Sequence, residues 1–312
     1  MPPVPPEVTL RVRDPRLGAL VREWLDDARL ALPRSVTLSI DVVAALPFAA
    51  PDARDIFRQG RVNIRSGPPL QSVTLDWEPR LGHALLAPGS THAHVVVTEA
   101  ALARANELLR SFLLDTMILL LRRVGMHHVH AAALVDPLGR GWVLAGTSGS
   151  GKSTTTALLA RHGWTVGTDD IAFVMAGDAP KTAQIACWRE RLALRDDAAA
   201  AVGSHGGTAL ESRSKLGWFP EELGAPWIGH VAPSFLLFPG MDHPDLTSMT
   251  PVRARDAITR LMRWSPWVAL EADLADEHLD LLARLARQTR AFDVILGHDV
   301  FANPDRLLEL VA

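Results

Sequence analysis

"GTSGSGKSTTTALLARHGWTVGTDD", from Gly146 to Asp170, decides how this chain is read. Gly146, Gly151, Lys152 and Ser153 occupy the fixed positions of G-x-x-x-x-G-K-[ST], a loop that leaves a strand and opens a helix. The preceding "GWVLAG" supplies the strand, and a helix is expected to begin near Lys152. Glycines let successive backbone N–H groups turn inward, and the helix N-terminus adds positive potential, so the segment suits phosphates. Beyond it, "WTVGTDDIAFV" predicts another strand, with Asp169 and Asp170 in it or just after it.

Each residue type in the loop has a chemical use. A nucleotide would be cradled by Gly146, Thr147, Ser148, Gly149, Ser150, Gly151, Lys152, Ser153 and Thr154. Lys152 can reach the β- and γ-phosphates and the Ser153 hydroxyl can hold Mg²⁺, which makes ATP and Mg²⁺ the expected cofactors. Two carboxylates only one helix further on favour a kinase over a nucleotide switch or motor. Adjacent side chains on a strand point apart unless the strand ends there, so Asp169 can face the metal while Asp170 faces an acceptor hydroxyl. The plainer alternative for either aspartate is a helix N-cap or a turn residue.

The longer stretch "HAAALVDPLGRGWVLAGTSGSGKSTTTALLARHGWTVGTDD" resembles the catalytic core of the HPr serine kinase/phosphorylase family and its shorter relatives. The elements that carry the resemblance are His130, the loop Gly146 to Ser153, His162-Gly163 and Asp169-Asp170, in that order. The resemblance implies an α/β P-loop kinase core with a mixed sheet, related to phosphoenolpyruvate carboxykinase. It implies that Asp170 accepts the hydroxyl proton and that His130 lies beside the phosphates and Asp170. An imidazole there can orient the acid or carry positive charge toward the phosphoryl group, whereas a satisfied core histidine is the alternative. His127 and His128 stand close by in sequence.

The chain carries no copy of the family's Arg- and Gly-rich segment that binds HPr. HPr is therefore not the expected substrate; the resemblance to the shorter relatives, which include kinases of lasso peptide pathways that phosphorylate a precursor peptide, implies a serine hydroxyl of a peptide or protein as the acceptor, with a small metabolite as the lesser alternative. A regulatory or scaffold protein that binds ATP without phosphoryl transfer is the reading from another class.

Two further segments carry candidates. In "ESRSKLGWFPEEL", Arg213 and Lys215 are candidate substrate contacts, and Trp218 and Phe219 are read either as a wall of the acceptor site or as core. In "CWRERLALRDD", Glu190 is a candidate metal ligand beside Ser153 and Asp169, and Arg189 or Arg191 a candidate phosphate contact.

Composition sets the outer limits. With 312 residues, 48% hydrophobic and 21% charged, the chain reads as a globular catalytic domain with an attached module. A net charge of -3 gives no electrostatic case for nucleic acid. The single cysteine, Cys187, and the absence of a basic-then-apolar start predict a cytoplasmic protein. The longest apolar run, "SFLLDTMILLLRRVG", contains Asp115 and falls short of the roughly 20 residues of a membrane span.

The expected division is an N-terminal α+β module over 1–125 and a catalytic domain over 126–312. The module has strands at "VTLRVRD", "GRVNIRS" and "SVTLDWE", and one long helix from an N-cap at Thr98 to Gly125 is expected to bridge it to the core. The alanines at 198–201 and "GSHGGT" read as a surface loop. Assembly into homo-oligomers is a further expectation from the resemblance.

Overall fold

Strand-forming stretches before residue 98 alternate apolar and polar side chains, as a sheet with one covered face requires. In the computed structural model, which describes residues 6–46, 54–67, 72–78, 80–204, 206–210, 215–241 and 245–311, they form a seven-stranded sheet. Its strands are β1 (Val8–Val12), β2 (Val36–Val43), β3 (Arg54–Gln59), β4 (Val62–Gly67), β5 (Ser72–Trp77), β6 (Gly82–Leu86) and β7 (His92–Thr98). The spatial order is β1-β2-β7-β6-β5-β4-β3. Pairs β1/β2 and β2/β7 are parallel, the others antiparallel. Leu38, Ile40, Ile64, Leu75, Trp77, Ala84 and Val95 are buried, while Asp76 and His83 pair on the opposite parity. Helix α1 (Pro15–Ala28) lies between β1 and β2 in sequence.

The single bridging helix expected after Thr98 is not what forms. The segment is α2 (Glu99–Leu102), α3 (Ala105–Glu107), a π-turn over Leu108–Leu113 and α4 (Leu114–Arg122). Thr98 sits at the N-cap, but its hydroxyl donates to Leu81 O instead of capping the helix. Every residue from Asp115 to Arg122 is buried, as in a helix that is covered on all sides. Phe112 stacks on Trp77 at 5.7 Å, and a Cβ on Gly82 would stand 2.7 Å from the Phe112 ring. The chain divides into two compact units, Met1–Asp27 with Ala31–Met126 and Ala28–Leu30 with His127–Ala312.

The second unit is mixed α/β. Its strands are β8 (His127–Val135), β9 (Gly141–Ala145), β10 (Thr165–Thr168), β11 (Ile171–Ala176), β12 (Ala183–Cys187), β13 (Leu192–Leu194), β14 (Thr208–Leu210), β15 (Lys215–Trp218), β16 (His230–Val231), β17 (Pro233–Met241), β18 (Ser248–Val252) and β19 (Arg290–Leu296). The main sheet runs β16-β12-β11-β8-β9-β17-β19-β18, with β10 also on β8; β13-β15-β14 form a small separate sheet. Pairs β9/β17 and β17/β19 are parallel within an otherwise antiparallel sheet.

Near-continuous apolar strands such as "HAAALV" and "GWVLA" are needed because helices cover both faces. Ala132, Leu134, Trp142, Leu144, Phe235 and Leu237 pack with α5 (Lys152–Arg161), α6 (Asp196–Ala201), α9 (His298–Ala302) and α10 (Arg306–Leu310). The alternate residues, including Val129, Ala131, Val143, Ala145 and Leu236, pack with α7 (Ala254–Arg263) and α8 (Ala272–Gln288).

The tight turn between β8 and β9 is fixed by Asp136. Its Oδ1 accepts the N–H groups of Leu138 and Arg140, each at 2.9 Å, and its Oδ2 accepts Trp142 Nε1–H at 3.0 Å and Arg140 Nε–H at 2.7 Å. The alanines at 198–201, expected in a loop, belong to helix α6. Alanine has the highest helix propensity, and Asp196 and Asp197 place negative charge in the first turn.

Candidate functional site

Strand β8 organises the site because it has a different neighbour on each edge. On one edge Ala131 pairs with Ala145, the last residue of β9 before the Gly146 loop. On the other, β10 and β11 both run antiparallel to it, with Thr168 opposite Ala133 and Ile171 opposite His130. Asp169 and Asp170 fill the bend between those strands. The pattern "HAAA" followed by "GTSGSGKS" and "TDDI" therefore brings His130, the loop and the aspartates to one place.

The loop leaves β9 and turns into α5 through two glycines with positive φ, Gly149 at 87° and Gly151 at 93°, a conformation that side chains oppose. Thr147, Ser148 and Gly149 are exposed, while Ser150 and Lys152 are buried. Ser150 Oγ makes no hydrogen bond among the described residues. Lys152 Nζ donates to Gly146 O at 2.8 Å and Thr147 O at 3.1 Å, and lies 4.0 Å from Asp170 Oδ1. Burial lowers the Lys152 pKa, Asp170 and Asp169 act against that, and Lys215 on β15 reinforces it.

Asp170 is partly exposed, and its Oδ1 stands 2.9 Å from His130 Nε2. The two atoms are close without meeting the geometry of a hydrogen bond. The His130 backbone N–H donates to Trp264 O at 2.8 Å, which ties β8 to the end of α7. Asp169 differs in environment. It is 3% exposed and its pKa is pushed up to about 6 by burial and then by Asp170, against the Ser153 hydroxyl, Lys152 and the Ala193 amide, which favour the charged form. Its Oδ1 has no hydrogen-bond partner among the described residues.

Glu190, beyond β12, faces the same bend. Its Oε1 accepts Asp170 N–H at 2.9 Å, Ile171 N–H at 3.0 Å and the Thr168 hydroxyl at 3.0 Å. Burial, followed by Asp170 and Asp169, raises its pKa. On either side in sequence, Arg189 ion-pairs with Glu221 at 3.0 Å and Arg191 with Glu222 at 2.6 Å. Both guanidiniums lie on the Phe219 ring, 3.9 and 4.1 Å from its centroid. Trp218 is buried in the core cluster of α5 and α6. Arg213 lies outside the described residues.

The bend thus gathers Lys152, Asp170, His130, Asp169, Ser153 and Glu190. Sequence reasoning missed the Thr168 hydroxyl, whose only signal is its place just before the paired aspartates, and the Trp264 carbonyl, which has no sequence signal. Among the described residues no group of three or more His, Cys, Asp or Glu side chains is arranged to hold a metal ion by itself. A divalent cation does fit the pairing of Ser153 with Asp169, because the bare, buried Asp169 Oδ1 would gain a partner there. No helix among the described residues is long and apolar enough to cross a membrane.

No protein-family model and no curated protein matches this chain. It is similar to a solved structure, that of the Hpr(Ser) kinase/phosphatase from Coxiella burnetii, with 11% identity over 59% of this chain and 94% of the other, at a TM-score of 0.31. A likeness at that level leaves the reading of the site to its own geometry.

Proposed function

We propose that the second unit is a P-loop kinase that transfers the γ-phosphoryl group of ATP to a hydroxyl, with serine in a peptide or protein as the acceptor. The observation that carries this reading is the convergence of a buried lysine, a partly exposed aspartate and a histidine beside the glycine loop, at 4.0 Å and 2.9 Å. Such groups are what phosphoryl transfer asks of a protein, since its catalysis is mostly positioning and charge stabilisation.

The loop N–H groups of Gly146 to Thr154 and the Lys152 ammonium bind the phosphates. Asp170 accepts the proton as the acceptor oxygen forms its bond to the γ-phosphorus, while the bond to the β-γ bridging oxygen breaks and ADP leaves. His130 orients the Asp170 carboxylate and adds positive charge when protonated. Ser153 and Asp169 would hold Mg²⁺, which supplies neutralisation of phosphate charge when bound. Lys215 adds to the positive field around Lys152.

Incubation with Mg²⁺-ATP and two acceptor sets, serine-containing peptides and free hydroxy amino acids, followed by mass spectrometry, tests the reading. One phosphate gained by a peptide is the expected result. Phosphate gained only by a free amino acid would replace the peptide acceptor with a metabolite, and ATP binding with no product would support a regulatory protein.

A further inference from the structure

We propose that Glu190 is a positioning residue, which holds the bend that presents Asp170 rather than acting on the phosphates itself. This rests on the reading of Asp170 as the base. Between β10 and β11 two residues replace regular strand pairing, and an interrupted ladder leaves backbone N–H groups in need of acceptors. One carboxylate oxygen, Glu190 Oε1, receives Asp170 N–H, Ile171 N–H and the Thr168 hydroxyl, all within 3.0 Å. These donors belong to the residue before the aspartates, the second aspartate and the residue after it. Their common acceptor fixes the Asp170 backbone, and with it the direction of the carboxylate toward Lys152 and His130.

The neighbours of Glu190 keep it in place. Arg189 and Arg191 both contact the Phe219 ring by cation–π interaction, and each is fastened by its own glutamate, Glu221 or Glu222. The short segment 189–191 is therefore anchored on the Phe219–Glu222 turn while its central side chain reaches the bend. Neither arginine is free to serve as a mobile phosphate contact, so the pair's role is to support Glu190.

Three proteins decide the matter: wild type, Glu190→Ala and Glu190→Gln. Hydrogen exchange over the Thr168–Ile171 segment is read by mass spectrometry. Alongside it, kcat, KM and ATP affinity are measured with Mg²⁺-ATP and a serine-containing peptide, or with water as the acceptor if no peptide is used. Alanine removes the acceptor oxygen, so the segment should lose protection and kcat should fall roughly 100-fold with ATP affinity unchanged, the cost of a small misplacement. Glutamine keeps an oxygen that accepts the same bonds, so protection and most of kcat should return. Unchanged exchange in Glu190→Ala, or a Glu190→Gln protein as unprotected and inactive as the alanine variant, would overturn the proposal. If the wild type turns over no ATP, the reading of Asp170 as a base fails, and the exchange measurement still decides whether Glu190 holds the bend.

Discussion

His130 Nε2 stands 2.9 Å from Asp170 Oδ1 because Ile171, the residue after Asp170, is registered opposite His130 in the β8/β11 pair. Strand register brings residues 40 apart in sequence into contact, and on the proposed reading His130 orients Asp170. His130→Ala should therefore lower kcat by about 10- to 100-fold and change ATP affinity little. Steady-state kinetics with calorimetric ATP binding checks this; an equal loss in affinity would make His130 a binding residue.

Lys152 closes its own loop through Gly146 O and Thr147 O, and its buried ammonium stands 4.0 Å from Asp170 Oδ1. Lys152→Ala should weaken ATP binding by about tenfold or more. In a thermal melt, ATP should raise the Tm of the wild type and barely move that of the variant. An equal rise in both would remove Lys152 from the phosphate site.

His128 is buried edge-on to Phe173 and Trp267, and its pKa is pushed down to about 3 by burial first and His130 second. A depressed folded pKa means that the unfolded chain takes up the proton first. The stability from this group is complete above its unfolded value of about 6.5 and is lost as pH falls toward 3, at up to about 1.4 kcal/mol per pH unit. Replacement by phenylalanine, which has nothing to protonate, should flatten the fall in Tm between pH 6.5 and pH 4. An unchanged slope would contradict the assignment.

Asp136 satisfies four donors at the β8–β9 turn, among them the indole of the buried Trp142. Asp136→Ala leaves that indole without its partner, and should cost about 2–4 kcal/mol in denaturant unfolding. A loss below about 0.5 kcal/mol would mean that water replaces the carboxylate.

Legibility in the sequence followed the locality of the signal. The strand-loop-helix around Gly146 to Ser153 has fixed spacing within one segment, and the periodicity of "DEHLDLLARLARQTRAF" signals α8, although the helix starts earlier, at Ala272, and the last residues of that stretch belong to β19. The helix after Thr98 misled because its apolar stripe fits one amphipathic helix, while the break at Ala103–Arg104 and the π-turn serve packing around Phe112, which only the folded unit specifies. Strand β2 alternates clearly, yet its pairing with β7, more than 50 residues away, is a tertiary fact. Residue type alone makes Glu190 a candidate ligand, but its three donors come from 19 to 22 residues earlier, a distance that carries no spacing signal.

The central claim, that Asp170 takes the proton as phosphate leaves ATP, is tested most directly by comparing wild type with Asp170→Asn using ATP labelled at the γ-phosphate. Label on a serine-containing peptide and ATP affinity are measured on the same preparations. The account predicts labelled peptide from the wild type and a loss of about 100- to 10,000-fold in the variant, with ATP affinity kept. Transfer by Asp170→Asn at the wild-type rate would contradict it.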